Sequence, residues 1–333
     1  MKTRIKNKFF PRKVSQNLSK RFRLISGSDS TTLKDSFIKH HYTLERGFKN
    51  GYLSTEHGKK SFQDAVYDRL NIARYQIVPW ICDTKSLENL NVLEIGCGSG
   101  SGTVALAEQA SFVIGLDIDE SILKVAQDRC SLHQFNNVKF HNLDILEFAK
   151  ISREPIDVVI FYASLEHMLF DERIKSIKTA WDILPSDGLL IVIDSPNRLF
   201  YYDGHTTALP FFYWLSDESA FKYIDINPSS IYKNEQFNYK SKNDFLKMGR
   251  GISYHDFEIS LNQTVDKLDL ISSLSNYESK KYYFSNLVFF TYRLLTNRKK
   301  SIQKRYISLM SEYQPDIDPA FFEPYLNIII KKT

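Results

Sequence analysis

The chain has 333 residues, of which 43% are hydrophobic and 25% charged, an ordinary composition for a soluble globular protein. It has no internal repeat, and no apolar run approaches the ~18 residues that a membrane-spanning helix needs. The net charge of +5 is uneven, because residues 1–23 hold nine Lys or Arg and no acid, which leaves the remaining chain slightly acidic.

The basic first segment has no apolar stretch of the kind found in signal peptides, so secretion is not expected. It reads either as a solvated, flexible tail or as a contact site for anionic lipid or an anionic glycan carrier. The chain has three cysteines, Cys82, Cys97 and Cys130, and their spacing is not that of metal ligands. Because their number is odd, we expect a reducing compartment and no disulfide framework. We therefore expect a cytoplasmic protein, with peripheral membrane contact through the tail as the alternative.

Apolar spacing predicts a helix over 61–80, and strands and helices then alternate from residue 91. The expected strands are 91–95, 111–116, 137–141, 156–161 and 189–194, and the expected helices are 103–109, 119–133 and 172–184. Such alternation predicts an α/β fold with a doubly wound, Rossmann-like and mostly parallel sheet.

The regular alternation ends at residue 194, where an aromatic-rich stretch begins. There we expect a helix over 210–223, a strand over 252–259, a helix over 284–311 and a last strand over 326–331. The predicted domains are a basic tail (1–25), a helical lead-in (26–90), a cofactor-binding core (91–195), a substrate-binding insertion (196–250) and the remaining strands with a helical insertion (251–333).

Residues 92–102, Val-Leu-Glu-Ile-Gly-Cys-Gly-Ser-Gly-Ser-Gly, form a glycine-rich turn between the first strand and its helix. Such a turn lets a ligand touch bare backbone at a helix N-terminus. The dinucleotide fingerprint G-x-G-x-x-G fits poorly, because its sixth position is Ser101 or Thr103, depending on the first glycine chosen.

Three acidic residues help to decide which adenosine ligand the turn is expected to bind. Asp117 ends the second strand at a spacing that suits ribose hydroxyls, in NAD or in another adenosine ligand. Glu94 precedes the glycines, near the place where a pyrophosphate would bring more negative charge, and Asp144 follows the third strand, where an acid can accept the adenine amine. These acids favour an adenosine ligand with a cationic amino-acid part and no phosphate.

With these motifs the chain resembles the class I S-adenosylmethionine-dependent methyltransferases. The resemblance covers roughly residues 60–200 and the last strand. It rests on these segments: Glu94-Ile-Gly-Cys-Gly-Ser-Gly100, Gly115-Leu-Asp117-Ile-Asp119, Asp144-Ile145, Phe161 to Met168 and Pro185-Ser-Asp-Gly188.

The resemblance implies S-adenosylmethionine as the cofactor and an antiparallel last strand. It implies that Gly96 and Gly98 approach the methionine part, that Asp117 takes the ribose hydroxyls and that Asp144 takes the adenine amine. The remaining residues expected to bind the cofactor are Glu94, Cys97, Gly100, Ile118, Ile145 and Tyr162, with the two isoleucines on either side of the adenine ring.

The segment after the fourth strand narrows the methyl acceptor. It lacks the Asn/Asp-Pro-Pro-aromatic and Pro-Cys motifs of base methylation, so nucleic acid is not expected. Leu165-Glu166-His167-Met168 resembles the Glu-x-x-Glu-His metal motif of ubiquinone-pathway O-methyltransferases, but Ala163 replaces its first acid. We therefore expect no metal.

A second polar cluster begins at Ser195 and leads to an aromatic wall over 209–214, an arrangement that resembles bacterial methyltransferases of unassigned substrate. His205 is the leading candidate for a general base, with Asp203 either as its partner or as a second ligand. His167 and His255 are the other candidates, and Arg250 is either a ligand for an acidic group or a surface residue.

The sequence therefore predicts a methyltransferase that acts on an oxygen of a small-molecule, glycan or lipid-linked acceptor. Two alternatives remain open: N-methylation of a small metabolite, and a non-catalytic protein that binds an adenosyl ligand and docks partners.

Overall fold

The structure is a computed structural model that describes residues 21–224, 226, 241–283 and 297–333. It contains two compact units, Met1–Leu143 and Asp144–Thr333, which are treated separately below. The domain boundaries expected from the sequence remain predictions.

The first unit begins with helices. Helix α1 (Gly27–Ser36) starts at Ser26 with a capping box, in which Ser26 and Asp29 bond each other's backbone. Residues 56–84 are helical throughout, in agreement with the expected helix over 61–80. The α-helical segments α2 (Glu56–Gln63), α3 (Arg69–Ile72) and α4 (Val78–Thr84) alternate there with π-helical segments Asp64–Asp68 and Ala73–Ile77.

The strands of the first unit are β1 (Asn91–Ile95), β2 (Phe112–Leu116) and β3 (Val138–His141). They are parallel in the order β3-β2-β1, joined by α5 (Ser101–Ala107) and α6 (Glu120–Leu132). Apart from the half-buried Phe112, the apolar residues of β1 and β2 are buried, as expected for strands covered on both faces. The parallel βαβαβ prediction is confirmed here.

The second unit contains α7 (Ile145–Ile151), β4 (Val158–Tyr162), α8 (Phe170–Ile183) and β5 (Leu189–Pro196). Its later elements are α9 (Asp217–Ile224), α10 (Lys242–Leu246), α11 (Tyr254–Leu261), β6 (Asp269–Ser273), α12 (Leu274–Tyr283), α13 (Asn297–Tyr313) and β7 (Tyr325–Lys331). The strand order is β4-β5-β7-β6. The β4 and β5 strands are parallel, whereas β7 runs antiparallel to both neighbours, so the reversed last strand is confirmed.

Two expectations for the second unit need correction. The strand expected over 252–259 is wrong, because Ser253 and Asp256 form a capping box that starts helix α11; the additional strand is β6. The helix expected over 210–223 is a short 3-10 turn, Phe212–Trp214, followed by α9. Residues 284–296 of the helix expected over 284–311 lie outside the described residues, and α13 accounts for the rest.

The described end of the basic segment is attached to the first unit. Arg21 donates hydrogen bonds to the carbonyl oxygens of Ala107 (3.2 Å) and Ala110 (2.8 Å), and Arg23 pairs with Asp29. Arg21 and Arg23, within the tail expected over 1–25, are therefore held by the first unit, while residues 1–20 lie outside the described residues. Across the described ranges, every helix is too short or too polar to cross a membrane.

Candidate functional site

The first unit carries the glycine-rich turn between β1 and α5. Gly96, Gly98 and Gly100 all have positive φ angles, of 73°, 52° and 77°. A Cβ atom added at Gly98 would meet no described atom within 4 Å, so the backbone there faces open space. A turn of this kind, at the start of a helix, can accept a ligand against its backbone.

Asp117 lies beside this turn, just after β2. Its Oδ2 accepts the Gly98 N–H (2.8 Å) and its Oδ1 accepts the Asp119 N–H (2.9 Å). Burial raises the pKa of Asp117, and the bonds from Asp119 and Gly98 oppose that rise. Each carboxylate oxygen has further lone-pair capacity. The contacts expected between this turn and carboxylate and the amino-acid and ribose parts of S-adenosylmethionine remain predictions.

Glu94, in β1, and Cys97, in the turn itself, have buried side chains. The Glu94 carboxyl accepts a hydrogen bond from the Thr103 hydroxyl, and burial raises its pKa to about 7. Burial also raises the pKa of the Cys97 thiol. These side chains contact the protein interior, so their role toward a cofactor remains a prediction.

The other expected cofactor residues differ in exposure. Ile118 is 76% exposed and available to a ligand, whereas Ile145 is 1% exposed and packs in the core of the second unit. Asp144 caps α7 by accepting the Glu147 N–H (2.8 Å), and Tyr162 is half-buried at the end of β4. Their contacts with adenine remain predictions.

The second unit brings a polar cluster (Glu166, His167, Ser195, His205 and Tyr325) to the ends of β4 and β5. Two residues with positive φ angles lie at these ends, Ala163 (46°) and Asp194 (54°). Such backbone angles cost energy in residues other than glycine and concentrate at functional sites. The segments are brought together by the Ser195–Glu166 hydrogen bond and by the contact between the His167 and His205 rings.

Glu166 is the buried acid of the polar cluster, with only 1% of its surface exposed. Its Oε2 accepts the Ser195 hydroxyl (3.1 Å), while its Oε1 has no hydrogen-bond partner among the described residues. Burial raises the pKa of Glu166 to about 8, and neighbouring Asp194 adds to that rise. The carboxyl is therefore mostly protonated at neutral pH and can donate a hydrogen bond.

His167 and His205 lie together, with ring centroids 6.2 Å apart. Nδ1 of His167 bonds the Lys247 carbonyl oxygen (2.8 Å), so it carries the proton of the neutral ring. Its Nε2 lies 4.0 Å from Glu166 Oε1.

A hydrogen-bond chain orients His205 in the same way. The Thr206 hydroxyl donates to the Gly249 carbonyl oxygen (3.2 Å) and therefore accepts from His205 Nδ1 (3.2 Å). This assignment makes Nε2 the proton-accepting nitrogen. Burial lowers the pKa of His205, and nearby His167 lowers it further.

Two expected contacts are corrected. Asp203 is buried and binds the loop backbone, accepting the His205 N–H (3.0 Å) and Thr206 N–H (2.7 Å), rather than the His205 ring. Arg250 is buried rather than on the surface, and it bonds the Phe212 and Leu215 carbonyl oxygens instead of facing a substrate.

His255 is separate from the two other histidines in its contacts. It lies exposed in the first turn of α11, stacks on Tyr254 (4.0 Å between centroids) and bonds Ser253 (3.2 Å).

Sequence reasoning missed Tyr325, the first residue of β7. Burial raises the pKa of its hydroxyl to about 12, and Asp194, Asp203 and Glu166 contribute to that rise. The sequence predicts a last strand that begins at residue 326, one residue after Tyr325, and it gives no sign that Tyr325 pairs with Pro196. Among the residues that the structure describes, no group of three or more His, Cys, Asp or Glu could hold a metal ion.

Comparison with known proteins agrees with the resemblance seen in the motifs. A family model described as a methyltransferase domain matches residues 86–245. A ubiquinone biosynthesis O-methyltransferase of Hydrogenovibrio crunogenus is 24% identical over 206 residues, covering 58% of this chain and 77% of that protein. Another, of Pseudomonas fluorescens, is 35% identical over 94 residues, covering 27% of this chain and 39% of that protein.

A solved structure of magnesium protoporphyrin IX methyltransferase from Synechocystis PCC 6803, with bound S-adenosylmethionine, also matches. It is 23% identical with a TM-score of 0.36, covering 53% of this chain and 80% of that chain. Residues 86–245 thus match a methyltransferase domain, and the named relatives agree with the resemblance of the motifs to the class I S-adenosylmethionine-dependent methyltransferases, with S-adenosylmethionine as the cofactor.

Proposed function

We propose that the protein methylates an oxygen atom of a small-molecule, glycan or lipid-linked acceptor, with His205 as the general base. The observation that carries this proposal is the orientation of His205. Its Nδ1 is engaged by Thr206, and its Nε2 is left as the proton acceptor in the polar cluster.

Bound S-adenosylmethionine supplies an electrophilic methyl group with a neutral thioether as the leaving group. A sugar or phenol hydroxyl attacks poorly while it keeps its proton, so a base that takes the proton as the new C–O bond forms speeds the transfer. The lowered pKa of His205, caused first by burial, keeps its imidazole neutral and able to take that proton at pH 7.

Glu166 and Ser195 orient the acceptor in this proposal. The protonated carboxyl of Glu166 donates a hydrogen bond from Oε1 to an acceptor oxygen, while Ser195 holds Oε2 in place (3.1 Å). An acceptor hydroxyl placed between Glu166 Oε1 and His167 Nε2, which are 4.0 Å apart, would give Glu166 Oε1 the hydrogen-bond partner that it lacks among the described residues.

The carboxyl groups of the second unit favour one other candidate, N-methylation of an amine. Asp194 and Asp203 both act on the Tyr325 hydroxyl, so an amine acceptor that arrives as its ammonium ion would be attracted to the same place. The third reading, a non-catalytic adenosyl-binding protein, makes no use of the oriented imidazole. Cytoplasmic location and membrane contact through the basic segment remain proposals from the sequence.

The test is methyl transfer from labelled S-adenosylmethionine into fractions of cell extract, followed by identification of the labelled atom. We expect label on oxygen, and we expect His205→Ala to lower turnover by ~100- to 10,000-fold. Cofactor affinity, measured by calorimetry with S-adenosylhomocysteine, should stay nearly constant. His255→Ala is the matched control, because His255 is exposed and contacts only α11 neighbours among the bonds described.

The other outcomes support the alternative functions or an alternative general base. Label on nitrogen supports N-methylation, and binding of the cofactor without any transfer supports the non-catalytic reading. Loss of turnover in His255→Ala with normal turnover in His205→Ala would assign the base to His255.

A further inference from the structure

Hydrogen bonds connect Arg46, near the start of the first unit, through Asp119 to Asp117, the residue expected to bind the ribose of the cofactor. Arg46 makes a bidentate ion pair with Asp119, from Nη1 to Oδ1 (3.0 Å) and from Nη2 to Oδ2 (2.6 Å). The Asp119 backbone N–H donates to Asp117 Oδ1, and the Gly98 N–H donates to Asp117 Oδ2. Arg46 therefore reaches the glycine-rich turn through two acids.

The loop that carries Arg46 is itself held in place. The rings of Tyr42, Phe48 and Tyr52 lie on either side of it in sequence and contact one another, with each pair of centroids 4.9 Å apart. His41 adds a bond to Ser121 (3.3 Å), in the first turn of α6. A fixed loop makes the guanidinium a fixed point for Asp119, because less side-chain freedom is lost in forming the ion pair.

Asp119 makes several further hydrogen bonds, and its ion pair with Arg46 helps to fix all of them. Its Oδ1 also caps α6 by accepting the Ser121 N–H (3.0 Å), so the carboxylate fixes the turn between β2 and α6. That turn contains Ile118 and presents the Asp119 N–H to Asp117. With both oxygens of Asp117 anchored, its remaining lone pairs point in set directions.

We propose that Arg46 is a positioning residue for cofactor binding, which acts through Asp119 to orient Asp117 toward the ribose hydroxyls of S-adenosylmethionine. The inference goes beyond the proposed acceptor chemistry and does not depend on it. Arg46 is not expected to contact the acceptor or to take part in methyl transfer. Its effect should appear in cofactor affinity alone.

The experiment measures binding of S-adenosylhomocysteine by calorimetry, so no acceptor is needed. We expect Arg46→Gln to weaken binding by about three- to tenfold, because it removes a bidentate charge-assisted pair. Arg46→Lys should recover part of the loss, since it keeps the charge but not the fork. Arg69→Gln is the matched control, because Arg69 forms an exposed ion pair with Asp64 (2.9 Å) that does not lead to Asp117.

A double-mutant cycle separates positioning from a general loss of structure. In an Asp117→Asn background, Arg46→Gln should have little further effect on affinity, because the carboxylate through which it acts is gone. Thermal melting of each variant serves as the check on folding. Equal loss in both backgrounds, unchanged affinity in Arg46→Gln, or a loss matched by Arg69→Gln would overturn the proposal. Failure to find an acceptor would leave these binding results intact.

Discussion

At the scale of single residues, Gly249 shows how closely the polar cluster is fitted. A Cβ atom at Gly249 would lie 2.5 Å from Cε1 and 2.7 Å from Nδ1 of His205, and its φ angle is +109°. The ring of His205 therefore packs against bare backbone, which only glycine provides. The same residue supplies the carbonyl oxygen that fixes Thr206.

This packing predicts that Gly249→Ala moves the His205 ring. We expect turnover to fall toward that of His205→Ala while affinity for S-adenosylhomocysteine is kept, and we expect the His205 ring signals in NMR spectra to shift. Gly204→Ala is the control, because its added Cβ would lie 3.7 Å from the nearest atom, the Tyr325 hydroxyl oxygen. Unshifted His205 signals in Gly249→Ala would contradict the packing.

Glu166 predicts a pH dependence of stability. Its pKa is raised by burial from 4.5 to about 8 in the folded chain. Between these values the unfolded chain loses the proton that the folded chain keeps, so stability falls as pH rises from about 4.5 to 8. Glu166→Gln removes this dependence and keeps an acceptor for Ser195.

We therefore expect Glu166→Gln to gain stability relative to the wild type, by on the order of 1–3 kcal/mol, between pH 5 and pH 9. Urea unfolding at both pH values measures the difference. Glu94 and Glu108, whose pKa values burial also raises, are common to both proteins and cancel. A difference that stays constant with pH would show that Glu166 is ionised in the folded chain.

At the scale of elements, the helical run over 56–84 depends on one buried cation. The Arg129 guanidinium is fully buried and donates to the carbonyl oxygens of Ala65 (2.9 Å) and Val66 (3.2 Å), in the first π-helical segment. The Ser101 hydroxyl also donates to Ala65 (2.7 Å). Helix 56–84 is thus bonded to both α6 and the start of α5.

Removing Arg129 should take its hydrogen bonds from both carbonyl oxygens, of which Ala65 keeps the bond from Ser101 and Val66 loses its side-chain partner. We expect Arg129→Met, which keeps most of the side-chain volume, to lower the free energy of unfolding by about 2–4 kcal/mol. Arg69→Met should change it by less than about 1 kcal/mol, because the Arg69–Asp64 pair is exposed. Denaturant unfolding measures both. Equal stabilities would mean that water or a shifted backbone replaces the guanidinium.

The elements also show where sequence patterns suffice and where they fail. The strands β1, β2, β4 and β5 were predictable because continuous apolar runs and turn residues mark buried parallel strands. At helix α11 the pattern fails, because the apolar residues near Ile252 indicate a strand whereas the capping box of Ser253 and Asp256 starts a helix. The strand β6 is not predicted from the sequence, because it is short and only partly buried.

For the whole molecule, the two candidate sites differ in how far the sequence defines them. The glycine turn and Asp117 belong to one βαβ unit, so their spacing along the chain predicts their contact. The polar cluster draws on segments near residues 166, 195, 205, 249 and 325, which only tertiary packing brings together. Its histidines were predictable, but the roles of Thr206, Gly249 and Tyr325 were not.

The charge distribution along the whole chain leads to the last prediction. Basic residues without acids over 1–23 predict attraction to anionic surfaces, at about 1 kcal/mol per residue near a charged membrane. We expect the full chain to sediment with vesicles containing phosphatidylserine, to be released by about 0.5 M salt, and not to bind phosphatidylcholine vesicles.

Replacing Lys6, Lys8, Arg12 and Lys13 with Gln should abolish sedimentation. Replacing the exposed Lys59, Lys60, Lys124 and Lys178 should not. Equal loss in both variants would reduce the effect to net charge, and no binding of the wild type would leave the segment a solvated tail.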